Sequence, residues 1–150
     1  MVVDDITAAL KQALLQRDSE TATTLRGLKS VILNAEVAAG KRDTGLDNDE
    51  VVALLQKEAK KRQEAAAIYA DAGDEARAAK ELSEKDIIAQ FLPEQLDETA
   101  VAQLVEGAIA ELGASTMQDM GKVIGAVKAK AGATADGGLI ARIVKEKLSV

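Results

Sequence analysis

Apolar positions recur along this chain at three- and four-residue steps, the spacing of one face of an α-helix, and nowhere in the two-residue alternation of a half-buried strand. Ile6, Leu10 and Leu14, with Asp4 or Asp5 as a cap, predict an amphipathic helix over residues 4–17 that breaks at Asp18 and Ser19. A second helix carries Leu25, Leu28, Ile32 and Leu33 on one face and stops at Gly40, where glycine takes the left-handed conformation that ends helices. Past a polar turn at 40–46, Asp47 and Glu50 have the spacing of a capping box. They open a long helix through Val51, Leu54, Leu55 and Ile68 to Gly73. Asp74 opens a fourth, with Ala78, Leu82, Ile87, Ile88 and Phe91, which ends before Pro93 because proline lacks the donor and disfavours helix at the residue before it.

Beyond Pro93 the segments shorten. Asp97 caps a helix with Val101, Leu104, Val105, Ile109 and Leu112, closed by Gly113. Ser115 or Thr116 caps the next, with Met120, Val123, Ile124 and Val127, ending near Gly132. Asp136 caps the last, with Leu139, Ile140, Ile143, Val144 and Leu148. The expectation is an all-α fold in which a helical amino-terminal subdomain (1–92) precedes a small three-helix carboxy-terminal bundle (97–150), with the boundary at 92–97.

Composition narrows the function. Hydrophobic residues make up 47% but aromatics only 1%, so Leu, Ile, Val and Ala must fill the interior, and base stacking on Tyr69 and Phe91 alone cannot read unpaired bases. With no Cys and no His, disulfides, thiolate nucleophiles, the usual zinc ligands and the commonest neutral-pH proton shuttle are all missing. No metal, nucleotide or other cofactor is expected. No apolar run approaches the ~20 residues of a membrane span, and Asp4 and Asp5 spoil a signal peptide, so a cytoplasmic protein without membrane attachment is expected.

The net charge of −6 argues against bulk coating of nucleic acid, yet the charge is unevenly spread. Residues 1–112 hold 22 acidic and 13 basic side chains (net −9), and residues 113–150 hold 3 and 6 (net +3). The last third of the chain is locally basic.

The carboxylates show no spacing that singles out an acid–base pair, and solvated helix faces account for them. Glu58 and Arg62 have the order of a favourable surface pair, and Lys57, Lys60, Lys61 and Arg62 read as a solvated face or as a phosphate-binding stripe. The run from Gly113 to Lys122 fails as a phosphate loop: seven residues separate Gly113 from Gly121, Val123 replaces the hydroxyl residue, and no strand precedes it. Gly121 and Gly125 share one helix face at a cost of up to about 1 kcal/mol each relative to Ala. Close approach of a neighbouring helix, or of a ligand backbone such as RNA, would offset that cost. In residues 128–138, Lys128 and Lys130 precede a turn, and Gly137 and Gly138 leave backbone N–H groups uncrowded at a helix start, where the dipole favours an anion. Asp136 competes for those groups, and a plain turn with its cap is the alternative reading.

The segments LRGLKSVILNAE (25–36), KRQEAAAIYADAGDE (61–75), FLPEQLDE (91–98), DMGKVIGAVKAKAG (119–132) and ADGGLIARIVKEKL (135–148) resemble the YqeY family. These are small bacterial proteins related to the tail domain of the B subunit of glutamine-dependent aminoacyl-tRNA amidotransferase. The resemblance implies a helical part followed by a three-helix part, and a link to tRNA through that tail. It carries over Gly121, Lys122, Gly125, Lys128 and the Asp136–Gly137 pair. Thr134 departs from the family, which often has a basic residue there. No catalytic residue comes with the resemblance, and carbon–nitrogen ligase activity with glutamine as amide donor would be inherited by kinship alone. The expected function is an accessory tRNA-binding or tRNA-handling protein contacting tRNA through Gly121, Lys122, Gly125, Lys128, Lys130, Gly137 and Gly138. The alternatives are a module that docks an aminoacyl-tRNA synthetase or amidotransferase subunit, and an amidotransferase-type enzyme acting within a complex.

Overall fold

The structure, a computed structural model, describes residues 1–149, and every regular element among them is helical. The chain divides into two compact units, Met1–Leu92 and Pro93–Val150. The first holds α1 (Val2–Leu15), α2 (Ser19–Ala38), α3 (Asn48–Asp71) and α4 (Glu75–Ala89). The second holds α5 (Glu98–Leu112), α6 (Met120–Ala131) and α7 (Gly137–Leu148), with single 3₁₀ turns leading into α6 and α7. The segment 93–96, which the sequence pattern leaves as a connector, is tied to the second unit. The Leu96 N–H donates to the Thr134 carbonyl at 2.7 Å, and Gln95 Nε2 donates to the carbonyls of Pro93 and Ala133.

The expected caps at Asp47, Asp74, Asp97 and Asp136 are present, and Asp18 caps α2. The start of α1 differs from expectation. Met1 is its N-cap, so Asp4 and Asp5 lie inside the first turn, where their charge favours the helix dipole without capping it. Into α6 the chain uses a reversed device. The Asp119 carboxylate reaches back to accept the N–H groups of Ser115 (3.1 Å) and Thr116 (3.4 Å), and those bonds hold its pKa below the usual carboxylate value.

The core of the first unit gathers Ile6, Leu25, Leu28, Ile32, Val51, Leu55, Ala59, Ile87 and Ile88. That of the second is made by Val101, Val105 and Ala108 of α5, Val123, Val127 and Ala131 of α6, and Ile140, Ile143, Val144 and Leu148 of α7. Small residues let these helices approach closely, as the near-absence of aromatics requires. Several residues read from periodicity as inward-facing lie on the surface: Leu14, Leu33, Ile68, Leu82 and Leu112. Along the distal half of α3, Ala66 is buried, as Ala78 is in α4, and Ile68, about 200° further round α3 from Ala66, points to the opposite side and is 68% exposed.

Glu58 and Arg62 are not the surface pair that their spacing suggests. Glu58 is only 4% exposed and accepts from Lys61 Nζ (2.9 Å) and Arg62 Nη1 (3.1 Å), while Arg62 Nε reaches across to Glu84 Oε2 of α4 (3.2 Å). Arg62 therefore bolts α3 to α4. Burial pushes the Glu58 carboxyl up, but the bonds and charges of Lys61 and Arg62 together outweigh it and leave its pKa below the ordinary 4.5.

Because the folded carboxyl titrates below its unfolded value, its stabilisation is present above pH 4.5 and disappears as pH falls through the lowered folded pKa. Glu58→Gln should cost about 2 kcal/mol at neutral pH. In urea melts from roughly pH 7 down to pH 3, its deficit relative to the parent should shrink in the acid range.

Candidate nucleic-acid interface

α6 is amphipathic around Val123 and Val127, which are fully buried against α5 and α7. At about 100° per residue, this orientation turns Gly121, Gly125 and Lys128 outward within one narrow sector, with Lys122 on its flank. All four are exposed. A Cβ added at Gly121 or Gly125 would meet nothing within 4 Å. Among the described residues, close approach of a neighbouring helix of the same unit therefore does not explain these glycines. Gly27 of α2 and Gly107 of α5 are open in the same way. The α6 pair is distinguished by lying one turn apart beside two cations.

Lys128 joins this face to the start of α7. Its Cε and Nζ lie 3.3 and 3.4 Å from where a Gly137 Cβ would stand, so the lysine stem lies over the space the glycine leaves. Gly137 and Gly138 form the first turn of α7, whose leading N–H groups have no acceptor within the helix. The Asp136 carboxylate accepts one of the early donors, the Leu139 N–H, at 3.2 Å. Asp136 is thus the local competitor for any anion at this helix start.

Lys130 stands apart from the other expected site residues. It projects about half a turn round α6 from Gly121, toward α5, where its Nζ bonds both oxygens of Glu111 at 3.0 and 3.1 Å. Two further cations of the basic third are also held by α5. Lys147 Nζ pairs with Glu106 at 2.7 Å, and Arg142 pairs with Glu98 as well as with Glu146. Residues 93–150 together carry eight acidic and six basic side chains, net −2, so the unit as a whole is not basic. The three α5 carboxylates were missed by sequence reasoning because their partners lie 19 to 44 residues away. Among the described residues, Lys122 and Lys128 make no ion pair, and Asp119 is the acid whose charge Lys122 feels.

Among the described residues, no group of three or more His, Cys, Asp or Glu side chains is placed to hold a metal, and no helix is long and apolar enough to cross a membrane. What α6 and the α7 start offer is an open glycine floor, two unpaired ammonium groups and a helix beginning. Such a surface offers charge and close backbone approach to an anion.

The fold and this surface define a helical two-unit protein whose smaller unit presents a glycine–lysine face. Residues 3–148 match the family model for YqeY, described as Yqey-like protein, and the chain belongs to the YqeY family. A search of curated proteins found no match.

The open space at Gly125 makes a direct prediction. Gly125→Ala should raise stability by about 0.5–1 kcal/mol, because nothing opposes the added methyl and helix propensity improves. Gly113→Ala should lower it by about 1 kcal/mol, because Gly113 closes α5 at φ +61°, where a Cβ is strained. Urea midpoints of the two variants check both signs.

Proposed function

We propose that this protein is an accessory tRNA-binding protein that holds the sugar–phosphate backbone on the Gly121–Gly125 face of α6. The observation that supports the reading most is the open space over these two glycines, flanked by the unpaired Lys122 and Lys128. Two α6 glycines, one in the first turn and one a turn further on, that no neighbouring helix of their own unit packs against are suited to close approach from outside. Lys128 extends the contact to Gly137 and Gly138 at the start of α7. Kinship with an amidotransferase tail, which the sequence resemblance implies, favours tRNA over other polyanions. Binding is weak because α5 neutralises Lys130, Arg142 and Lys147, and it is indifferent to sequence because no aromatic lies on this face to stack a base.

Lys122→Ala with Lys128→Ala should weaken binding of all tRNAs alike and lower the slope of log affinity against log salt by about 2. Lys130→Ala should change little, since Glu111 already occupies its ammonium. Gly125→Leu should weaken binding while raising the urea midpoint, as Gly125→Ala does, because helix propensity improves. Filter binding at low salt reads all three. If the parent does not bind tRNA at low salt, or the double lysine variant binds as the parent does, the tRNA reading fails. The same face then docks a protein such as a synthetase or amidotransferase subunit.

A further inference from the structure

The exposed side of α2 lies in a part of the chain that the tRNA reading leaves unused. Arg26, Ser30, Leu33 and Val37 follow one another at four-, three- and four-residue steps, the seam of a helix that packs on another helix. Leu33 is 48% and Val37 56% exposed. Beside them a shallow cleft of about 290 Å³ is lined by Val3 of α1 and by Lys29, Ser30, Ile32, Leu33 and Glu36 of α2. Lys29 and Glu36 are seven residues apart, two turns, and so lie on the same flank of the seam. Among the described residues neither has an ion-pair partner. Glu36 is half-buried, with its Oε1 3.6 Å from where a Cβ on Gly45 would stand.

We propose that this face binds a second copy of the same chain, α2 against α2 in antiparallel orientation about a two-fold axis passing beside Ile32 and Leu33. The charge order on the face selects this occupant. In an antiparallel pair like flank meets like flank, and Lys29 and Glu36 lie equally far on either side of that axis. Lys29 of each copy therefore meets Glu36 of the other, an isologous contact that a single sequence satisfies twice. The same axis sets Arg26 of one copy opposite Ala39, the C-cap of α2 in the other. That helix has no basic residue in its last turn, so the negative end of its dipole favours a cation there, although the turn's own N–H groups already bond the carbonyls of Ala35, Glu36 and Val37. Leu33 of each copy enters the cleft beside Ile32 of the other. A single short helix pair is a small interface, and the dimer it forms is weak and concentration-dependent.

Sedimentation velocity of the full chain, from low micromolar to near-millimolar concentration, should show monomer passing to dimer. Lys29→Glu alone and Glu36→Lys alone should each weaken the dimer by about tenfold, because each turns two attractive pairs into repulsive ones. Mixing these two variants in equal amounts should restore association as a heterodimer, in which both flanks are again complementary. Leu33→Asp should abolish the dimer with an unchanged urea midpoint, since this side chain is outside the core. A parent that stays monomeric throughout overturns the proposal. So does a dimer that survives Leu33→Asp, or a mixture of the charge variants that associates no better than either alone.

Discussion

An aspartate carboxylate at the head of a helix, accepting the backbone N–H three residues on, is the contact on which this architecture rests. Asp18, Asp47, Asp74, Asp97 and Asp136 each do so, at 2.8 to 3.2 Å, and between them start five of the seven helices. Each such cap is worth about 1 kcal/mol. Its larger effect is to fix where a helix begins, and so which residues fall on its inner face. A chain with so little aromatic surface has no large side chain to correct a helix that is rotated by one residue. Its cores of Val, Ala, Leu and Ile depend on phase, and the caps set the phase.

That dependence explains which parts of the fold can be read in the sequence. Asp and Gly mark helix starts and stops by local chemistry, so the elements, the Asp47–Glu50 box and the turn at Gly113 follow from a few neighbouring residues. Which apolar residues point inward depends on the partner helix. Periodicity placed Leu33 with Leu25 and Leu28 because it stands beside Ile32 on the apolar stripe of α2, and Ile68 with Val51 and Leu55 although at about 100° per residue it stands roughly 140° round α3 from Leu55. The partner helix covers only part of that stripe. The same gap affected charge: Glu58 and Arg62 look like a solvated pair in one dimension, and only the position of α4 turns Arg62 into a link between two helices.

The candidate site shows the two limits together. Its glycines and lysines were legible as a cluster, since they sit within two turns of one helix. The basic excess that drew attention to them was only partly meaningful. Glu98, Glu106 and Glu111 return negative charge to three of the six cations through space, and the linear count cannot register it. What survives is a local arrangement at Lys122 and Lys128. A site of this kind acts over a Debye length of about 8–10 Å and draws little on long-range steering by the acidic whole.

The rigidity of that arrangement comes from the opposite side of the same helix. Val123 and Val127 are fully buried and alternate along α6 with Lys122, Gly125 and Lys128, so the outward face cannot rotate without lifting both valines from the core. The lysine stems remain mobile while their origins are fixed. Lys128 is further confined by lying over Gly137, where a larger residue would occupy the space its Cε and Nζ now fill. The order needed to present two cations and a bare backbone at a constant spacing is therefore met during folding, by aliphatic packing on the side of α6 away from this face. On this side of the contact, the conformational entropy left to lose is chiefly that of two lysine side chains, which adds to the translational and rotational freedom and the hydration that any association gives up.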